Sequence, residues 1–204
     1  MGTPFEDGLI RKISDSFENL KIIDTRKGVT MRFFRGSGKT ERPDPHIWLD
    51  PKRVEIQAET IFETLSEFAP EHSEQFEKNL SDFQNDLERI DAKISGILAP
   101  FKGQKFYVFH PAFGYFGESY GLRQVSIEIE GKEPNPRALV SLIERAKQEG
   151  VKVIFVQPQY AQKNAEILAK EIGCAVVPID PLPRNYLKQM EETARILQRT
   201  LSAC

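Results

Sequence analysis

Two histidines stand where a metal could be held. His46 lies in Asp44-Pro45-His46-Ile47-Trp48-Leu49-Asp50-Pro51, and His110 lies in Phe109-His110-Pro111-Ala112-Phe113. Asp180 ends the apolar run Ala175-Val176-Val177-Pro178-Ile179. His110 directly follows Tyr107-Val108-Phe109, so it and Asp180 both fall at the carboxyl ends of predicted parallel strands. In open α/β sheets that edge is where ligands bind. Imidazole nitrogens and a carboxylate converging there suit a divalent transition metal. Each residue also has a plainer reading. His110 could cap the helix after it, Asp180 before Pro181 could serve a turn, and His46 could be structural in its Asp-Pro-His turn. Taken together, the three favour a site.

Other chemistries find little support. No serine sits in a Gly-x-Ser-x-Gly elbow, and neither cysteine has a placed histidine partner. Gly36-Ser37-Gly38-Lys39 is a flexible stretch without the spacing of a phosphate-binding loop, and no His-Glu-x-x-His pair exists. The carboxylates of Glu128-Ile129-Glu130-Gly131-Lys132-Glu133 read as solvated charge at a strand end. Trp48 reads as core or interface packing, and His72 as exposed on the first turn of a long helix.

The elements that would position these residues follow from periodicity. Residues 4–17 carry Phe5, Leu9, Ile13 and Phe17 at helical spacing. Leu20 to Asp24 reads as a strand, and Gly28 to Arg42 as a loop. Pro51 to Ala69 reads as a helix through Val54, Ala58, Ile61, Leu65 and Phe68, ending near Pro70. Phe76, Leu80, Phe83, Leu87, Ile90, Ile94 and Ile97 then form a narrow seam between Pro70 and Pro100. A helix over Glu71–Ala99 would run roughly 40 Å at 1.5 Å per residue. It could dimerise as a coiled coil, but three heptads fall short of a sustained repeat, and packing on its own chain is preferred.

Beyond Pro100 strands and helices alternate. Strands are predicted over Gln104–Phe109, Gln124–Ile129, Val151–Val156 and Cys174–Ile179. Helices are predicted over Pro111–Tyr120, from Asn135-Pro136 to Gly150, over Ala161–Ile172 closed by Gly173, and over Tyr186–Leu201. That alternation argues an α/β lobe with a mostly parallel sheet flanked by helices. The expected organisation is a remainder of an N-terminal lobe over 1–50, a lobe helix and long connecting helix over 51–99, and a C-terminal α/β lobe over 100–204.

Bulk properties are those of an ordinary soluble protein and argue against a nucleic-acid partner. The 204 residues are 40% hydrophobic and 28% charged, with net charge −2, so no basic field invites nucleic acid. No run of about 18 apolar residues exists to span a membrane. Met1 to Asp7 has neither the basic nor the apolar region of a signal peptide. Cys174 and Cys204 are too few for a disulfide framework, and whether they pair is open.

Assembled in order, these motifs resemble the zinc/manganese solute-binding proteins of ABC importers. The likeness is carried by Gly2-Thr3-Pro4-Phe5-Glu6, Asp44 to Pro51, Phe109-His110-Pro111-Ala112-Phe113-Gly114-Tyr115-Phe116, Glu130-Gly131-Lys132-Glu133-Pro134 and Ile179-Asp180-Pro181-Leu182. It implies two α/β lobes joined by a rigid long helix, with a metal between them and no catalysed reaction. His46 matches the ligand of the first lobe, and His110 and Asp180 match those of the second. It further implies hand-over of the metal to a membrane permease, and a place in the periplasm or on the outer face of the cytoplasmic membrane. Zinc is the expected cargo and manganese the alternative, because manganese-specific relatives carry a carboxylate where His110 stands. The histidine-rich loop of many zinc members has no counterpart in Gly28–Arg42. Family members also carry a segment with a further histidine ligand ahead of the Gly-x-Pro-Phe-Glu motif, so the first lobe is expected to be incomplete, prone to self-association and weakened in affinity. The competing reading is an interaction protein that dimerises through the heptad helix, with purely structural histidines.

Overall fold

A computed structural model of the chain describes residues 4–34, 42–128, 136–159, 162–182 and 184–203, without the side chains of residues 4, 5, 136, 162 and 163. Helix α1 spans Pro4–Ser16. The next segment crosses the predicted strand Leu20–Asp24 without pairing to any described strand, and Leu20 and Ile22 stay exposed. Alternating apolar residues there are not enough, because a strand exists only when a neighbour takes up its backbone groups. The predicted loop from Gly28 contains a short antiparallel ladder, β1 (Phe33–Phe34) on β2 (Arg42–Pro43). Asp44 N–H extends that ladder by donating to the Arg32 carbonyl at 2.8 Å.

One 3₁₀ turn over Ile47–Leu49 leads into helix α2, Pro51–Phe68. Asp50 caps α2 by accepting from Lys52 N–H at 3.2 Å, and Pro51 occupies the first turn, where its missing N–H costs nothing. Helix α3, Ser73–Leu98, is preceded by a 3₁₀ turn at Pro70–His72, which holds His72 exposed, and followed by another at Ala99–Phe101. It packs against α2 and against the last helix, α7 (Tyr186–Ser202). Leu87, Ile90, Ile94 and Leu98 on its seam are buried, so this half of the heptad face is closed within the chain.

The second half is an α/β/α sandwich. Strands β3 (Lys105–Val108), β4 (Arg123–Ser126), β5 (Val153–Val156) and β6 (Ala175–Pro178) form one sheet, parallel throughout, in the order β4-β3-β5-β6. Helices α4 (Gly114–Ser119), α5 (Pro136–Gln148) and α6 (Gln162–Ile172) connect them. Strand residues alternate between two cores, as period-2 geometry demands. Phe106, Val108 and Phe155 face α3 and α7, where Ile94, Leu98, Ala194 and Leu197 meet them. Tyr107, Phe109, Ile154 and Val156 face α5 and α6, against Ala146, Ala165 and Leu168. Gly150, at φ +64°, takes the left-handed turn that follows α5.

Helix α4 begins at Gly114, three residues later than the predicted start at Pro111. The cause is local. A helix from Pro111 would need the His110 carbonyl as an acceptor one turn on, and that oxygen is already engaged by Ala112 N–H at 2.8 Å and Gln157 Nε2 at 2.9 Å.

Candidate metal centre

The sheet places its switch point beside His110. From β3 the chain steps to β4 on one side and returns to β5 on the other, so the carboxyl ends of β3 and β5 border the crevice where such sheets bind ligands. His110 leaves β3 at that point, with Phe109 N–H making the last rung to Phe155 O at 2.8 Å. His46 arrives from the opposite side on the turn between β2 and α2. Its ring lies 5.3 Å from that of His110, and the two Nε2 atoms are 3.4 Å apart.

Each ring spends its other nitrogen on a buried carboxylate. His46 Nδ1 is 2.7 Å from Asp44 Oδ1, and His110 Nδ1 is 2.6 Å from Glu128 Oε2. Asp44 is 2% exposed and Glu128 6%. A carboxylate only accepts, so each ring donates from Nδ1, and in its neutral form turns the Nε2 lone pair toward the other ring. In that tautomer the two Nε2 atoms form a pair of nitrogen donors able to share a cation. The spacing is also the right one. Two ligands at 2.0–2.1 Å from a tetrahedral zinc are separated by about 3.3–3.4 Å. The donor set and its geometry therefore fit zinc.

Glu128 is the largest correction to the sequence reading. It is a buried partner of His110 rather than solvated charge. Parallel pairing of β3 with β4 brings it there, and Glu128 N–H donates to the Phe109 carbonyl at 2.9 Å, one residue from His110. Its neighbours Ile129 to Glu133 lie outside the described residues. Asp44 is braced similarly. Its Oδ1 also accepts from His46 N–H at 3.0 Å, and its Oδ2 lies 4.0 Å from Nη1 of Arg32, a side chain that also forms an ion pair with Glu118. Tyr115 Oη donates to the Asp44 carbonyl at 2.9 Å and accepts from Arg32 N–H at 2.8 Å. Gly114 makes room for this packing, since a Cβ there would collide with the Arg32 guanidinium and come within 2.9 Å of Asp44 Oδ2.

Asp180 follows β6 and is half-buried. Its Oδ1 accepts from Gln159 Nε2 at 2.6 Å and from Leu182 N–H at 2.9 Å. The structure brings His46 and His110 into direct apposition. It does not assemble them with Asp180 into a closed set, and no group of three histidine, cysteine or acidic side chains is poised around one metal position among the described residues. The Asp180 loop is nonetheless tied to His46. Trp48, two residues on and with its ring 5.4 Å from that of His46, donates from Nε1 to the Pro181 carbonyl at 2.7 Å. The edge of the Phe34 ring approaches His46 at 6.4 Å. Cys174 is a free, half-buried thiol just before β6, with burial raising its pKa, and Cys204 lies outside the described residues.

Comparison with known proteins identifies the family. The family described as zinc-uptake complex component A, periplasmic (ZnuA), matches residues 1–200. The zinc-binding protein AdcA of Streptococcus pyogenes is 34% identical over 150 residues, covering 72% of this chain and 29% of AdcA. The high-affinity zinc uptake system protein ZnuA of Haemophilus influenzae is 32% identical over 157 residues, covering 76% of this chain and 47% of that protein. The chain thus spans less than half the length of either relative. A crystal structure of ZnuA superposes with a TM-score of 0.89 at 35% identity, covering 98% of this chain and 77% of the other. A zinc-bound mutant variant of AdcAII from Streptococcus pneumoniae superposes with a TM-score of 0.79 at 32% identity, covering 89% of this chain and 70% of the other. A family match over nearly every residue and a shared α/β fold lead to one conclusion: the chain belongs to the ZnuA family of periplasmic zinc-uptake components.

Proposed function

We propose that this chain is the metal-binding part of an extracytoplasmic solute-binding protein that captures zinc and delivers it to the permease of an ABC importer. The observation that carries the reading is the pair of Nε2 atoms 3.4 Å apart, each ring anchored through Nδ1 to a buried carboxylate. Such anchoring fixes the tautomer and raises the basicity of the ligating nitrogen. His46 and His110 are the core ligands, and Asp180 is the third. Both of the hydrogen bonds described for Asp180 fall on Oδ1, so a small movement of its loop would offer Oδ2 to the metal. Two imidazoles with one carboxylate favour zinc over manganese, which prefers more oxygen.

Residues 51–99 act in this reading as the helical connection between the 1–50 segment and the α/β lobe of 100–204. Leu9, Phe17, Leu20, Ile61, Leu65 and Phe68 leave an apolar surface on the α1–α2 side, which we assign to self-association.

Chelator-competition titration tests the central claim. The protein is expected to bind one zinc per chain, and His46→Ala and His110→Ala are each expected to abolish binding while leaving the circular dichroism spectrum in place. Undiminished zinc uptake by both variants would overturn it. Asp180→Ala is expected to weaken binding without abolishing it.

A further inference from the structure

Among the described residues Gln157 is the one fully buried amide at the sheet's carboxyl edge, 0% exposed, and the metal reading leaves it without a task. It follows β5 directly, across the switch point from His110. Its side chain turns both ends on a single residue. Nε2 donates to the His110 carbonyl at 2.9 Å, and Oε1 accepts from the His110 N–H at 3.3 Å. In a parallel ladder the N–H and C=O of one residue go to two different residues of the neighbouring strand. Here one carboxamide serves both, just past the rung where the main-chain ladder ends at Phe109 and Phe155. Burial of an amide at this depth is tolerated because both polar ends are used. Both polar ends are spent on the His110 peptide, so the side chain's specific contribution is to hold that peptide.

We propose that Gln157 is a positioning residue for the metal centre, holding the His110 peptide so that the imidazole meets His46 at zinc-binding distance. The inference rests on His46 and His110 being ligands. Glu128 and Gln157 divide the task. Glu128 fixes the rotation of the His110 ring through Nδ1, and Gln157 fixes the backbone from which the ring projects. A ring held only by Glu128 would pivot about that hydrogen bond, and the 3.4 Å separation of the Nε2 atoms would no longer be held.

The test compares wild type, Gln157→Met and Gln157→Glu by zinc titration and by the visible absorption of the cobalt(II)-loaded protein. Gln157→Met keeps the volume and removes both hydrogen bonds. Gln157→Glu keeps the acceptor for the His110 N–H and removes the donor to its carbonyl, so it remains informative if the methionine variant fails to fold. Either folded variant is expected to lose about 10- to 100-fold in zinc affinity. The tetrahedral cobalt bands are expected to weaken and shift. Wild-type affinity and an unchanged cobalt spectrum in a folded variant would overturn the inference, even if its melting temperature fell. A wild-type protein that takes up no zinc, or a His110→Ala variant that binds normally, would overturn the underlying reading instead.

Discussion

An imidazole ligates metal only through the nitrogen that it does not spend on a hydrogen bond, so the residues behind the histidines matter as much as the histidines. Asp44 and Glu128 hold that place, and both are buried with a carboxylate oxygen within 2.7 Å of an Nδ1. Glu128→Gln keeps the shape of the side chain but can present an N–H where only an acceptor suits, which would favour the wrong tautomer of His110. It is expected to lower zinc affinity by about 10- to 100-fold, and Asp44→Asn by a similar factor. Competition with a colorimetric chelator measures both, and unchanged affinity in both would show that the carboxylates do not tune the site. His46 and His110 were legible in the sequence because each borders a proline turn at the end of an apolar run. Asp44 stood two residues from His46 with nothing to mark its role. Glu128 was misread because its partner is 18 residues away on the neighbouring strand, and strand pairing cannot be read from either segment alone. Gln157 gave no signal at all, since a glutamine after an apolar strand looks like any loop residue.

The sheet's amino-terminal edge supplies a second anchoring device, which acts on stability rather than binding. Tyr107 on β3 donates its phenol to Glu149 Oε2 at 2.6 Å, and Lys105 Nζ reaches the other oxygen at 2.7 Å. The cluster pins the end of α5 to the strand whose far end carries His110. Burial, with the Glu149 hydrogen bond next, pushes the Tyr107 pKa up from 10.0 to about 12. The folded state therefore holds the phenolic proton more tightly than the unfolded chain does. The resulting stabilisation is complete below pH 10 and is lost as pH rises through 12. Urea unfolding between pH 8 and pH 12 should show this loss, and Tyr107→Phe should lessen it, leaving the share of Tyr115, Tyr120 and Tyr186, whose pKa values burial also raises, while costing about 1 kcal/mol at neutral pH. An unaltered alkaline profile in the variant would refute the assignment. Within the seam of α3, Ile94→Ala is expected to cost about 2–5 kcal/mol, because its side chain is fully enclosed. A loss below about 1 kcal/mol in urea titration would show that the seam is loosely packed. The long helices and the four parallel strands were legible because their periodicity is strong and their ends are marked by proline and glycine. Leu20–Asp24 was not, because a strand depends on a partner. The start of α4 was not, because the His110 carbonyl is claimed by a residue 47 positions on.

At the scale of the whole molecule, exposed apolar residues are most numerous on the α1 and α2 segments, although Val140, Ile167 and Leu182 of the α/β half are exposed as well. Phe17, Leu20 and Phe68 remain among the exposed large apolar residues, although Lys21 stacks its ammonium over Phe68 at 4.8 Å. Sedimentation velocity is expected to show concentration-dependent association. Introducing charge at the surface, as in Leu65→Lys with Phe68→Lys, is expected to suppress it without altering the circular dichroism spectrum. A monodisperse monomer at high concentration would remove the proposed self-contact. The two halves meet where Asp50, 0% exposed, accepts from Ser119 Oγ at 2.8 Å and pairs with Arg53, so the turn carrying His46 is fastened to α4. The same turn is fastened to the Asp180 loop by the indole of Trp48, and the chain has one tryptophan. That indole touches both sides of the crevice, with His46 beside its ring and Pro181 on its N–H. The emission of an excited indole depends on the imidazole packed against it and on the polarity around its N–H. The chain therefore carries its own optical reporter beside the proposed site, and zinc seating on His46 is expected to change the intensity and colour of its ultraviolet fluorescence, with no label attached.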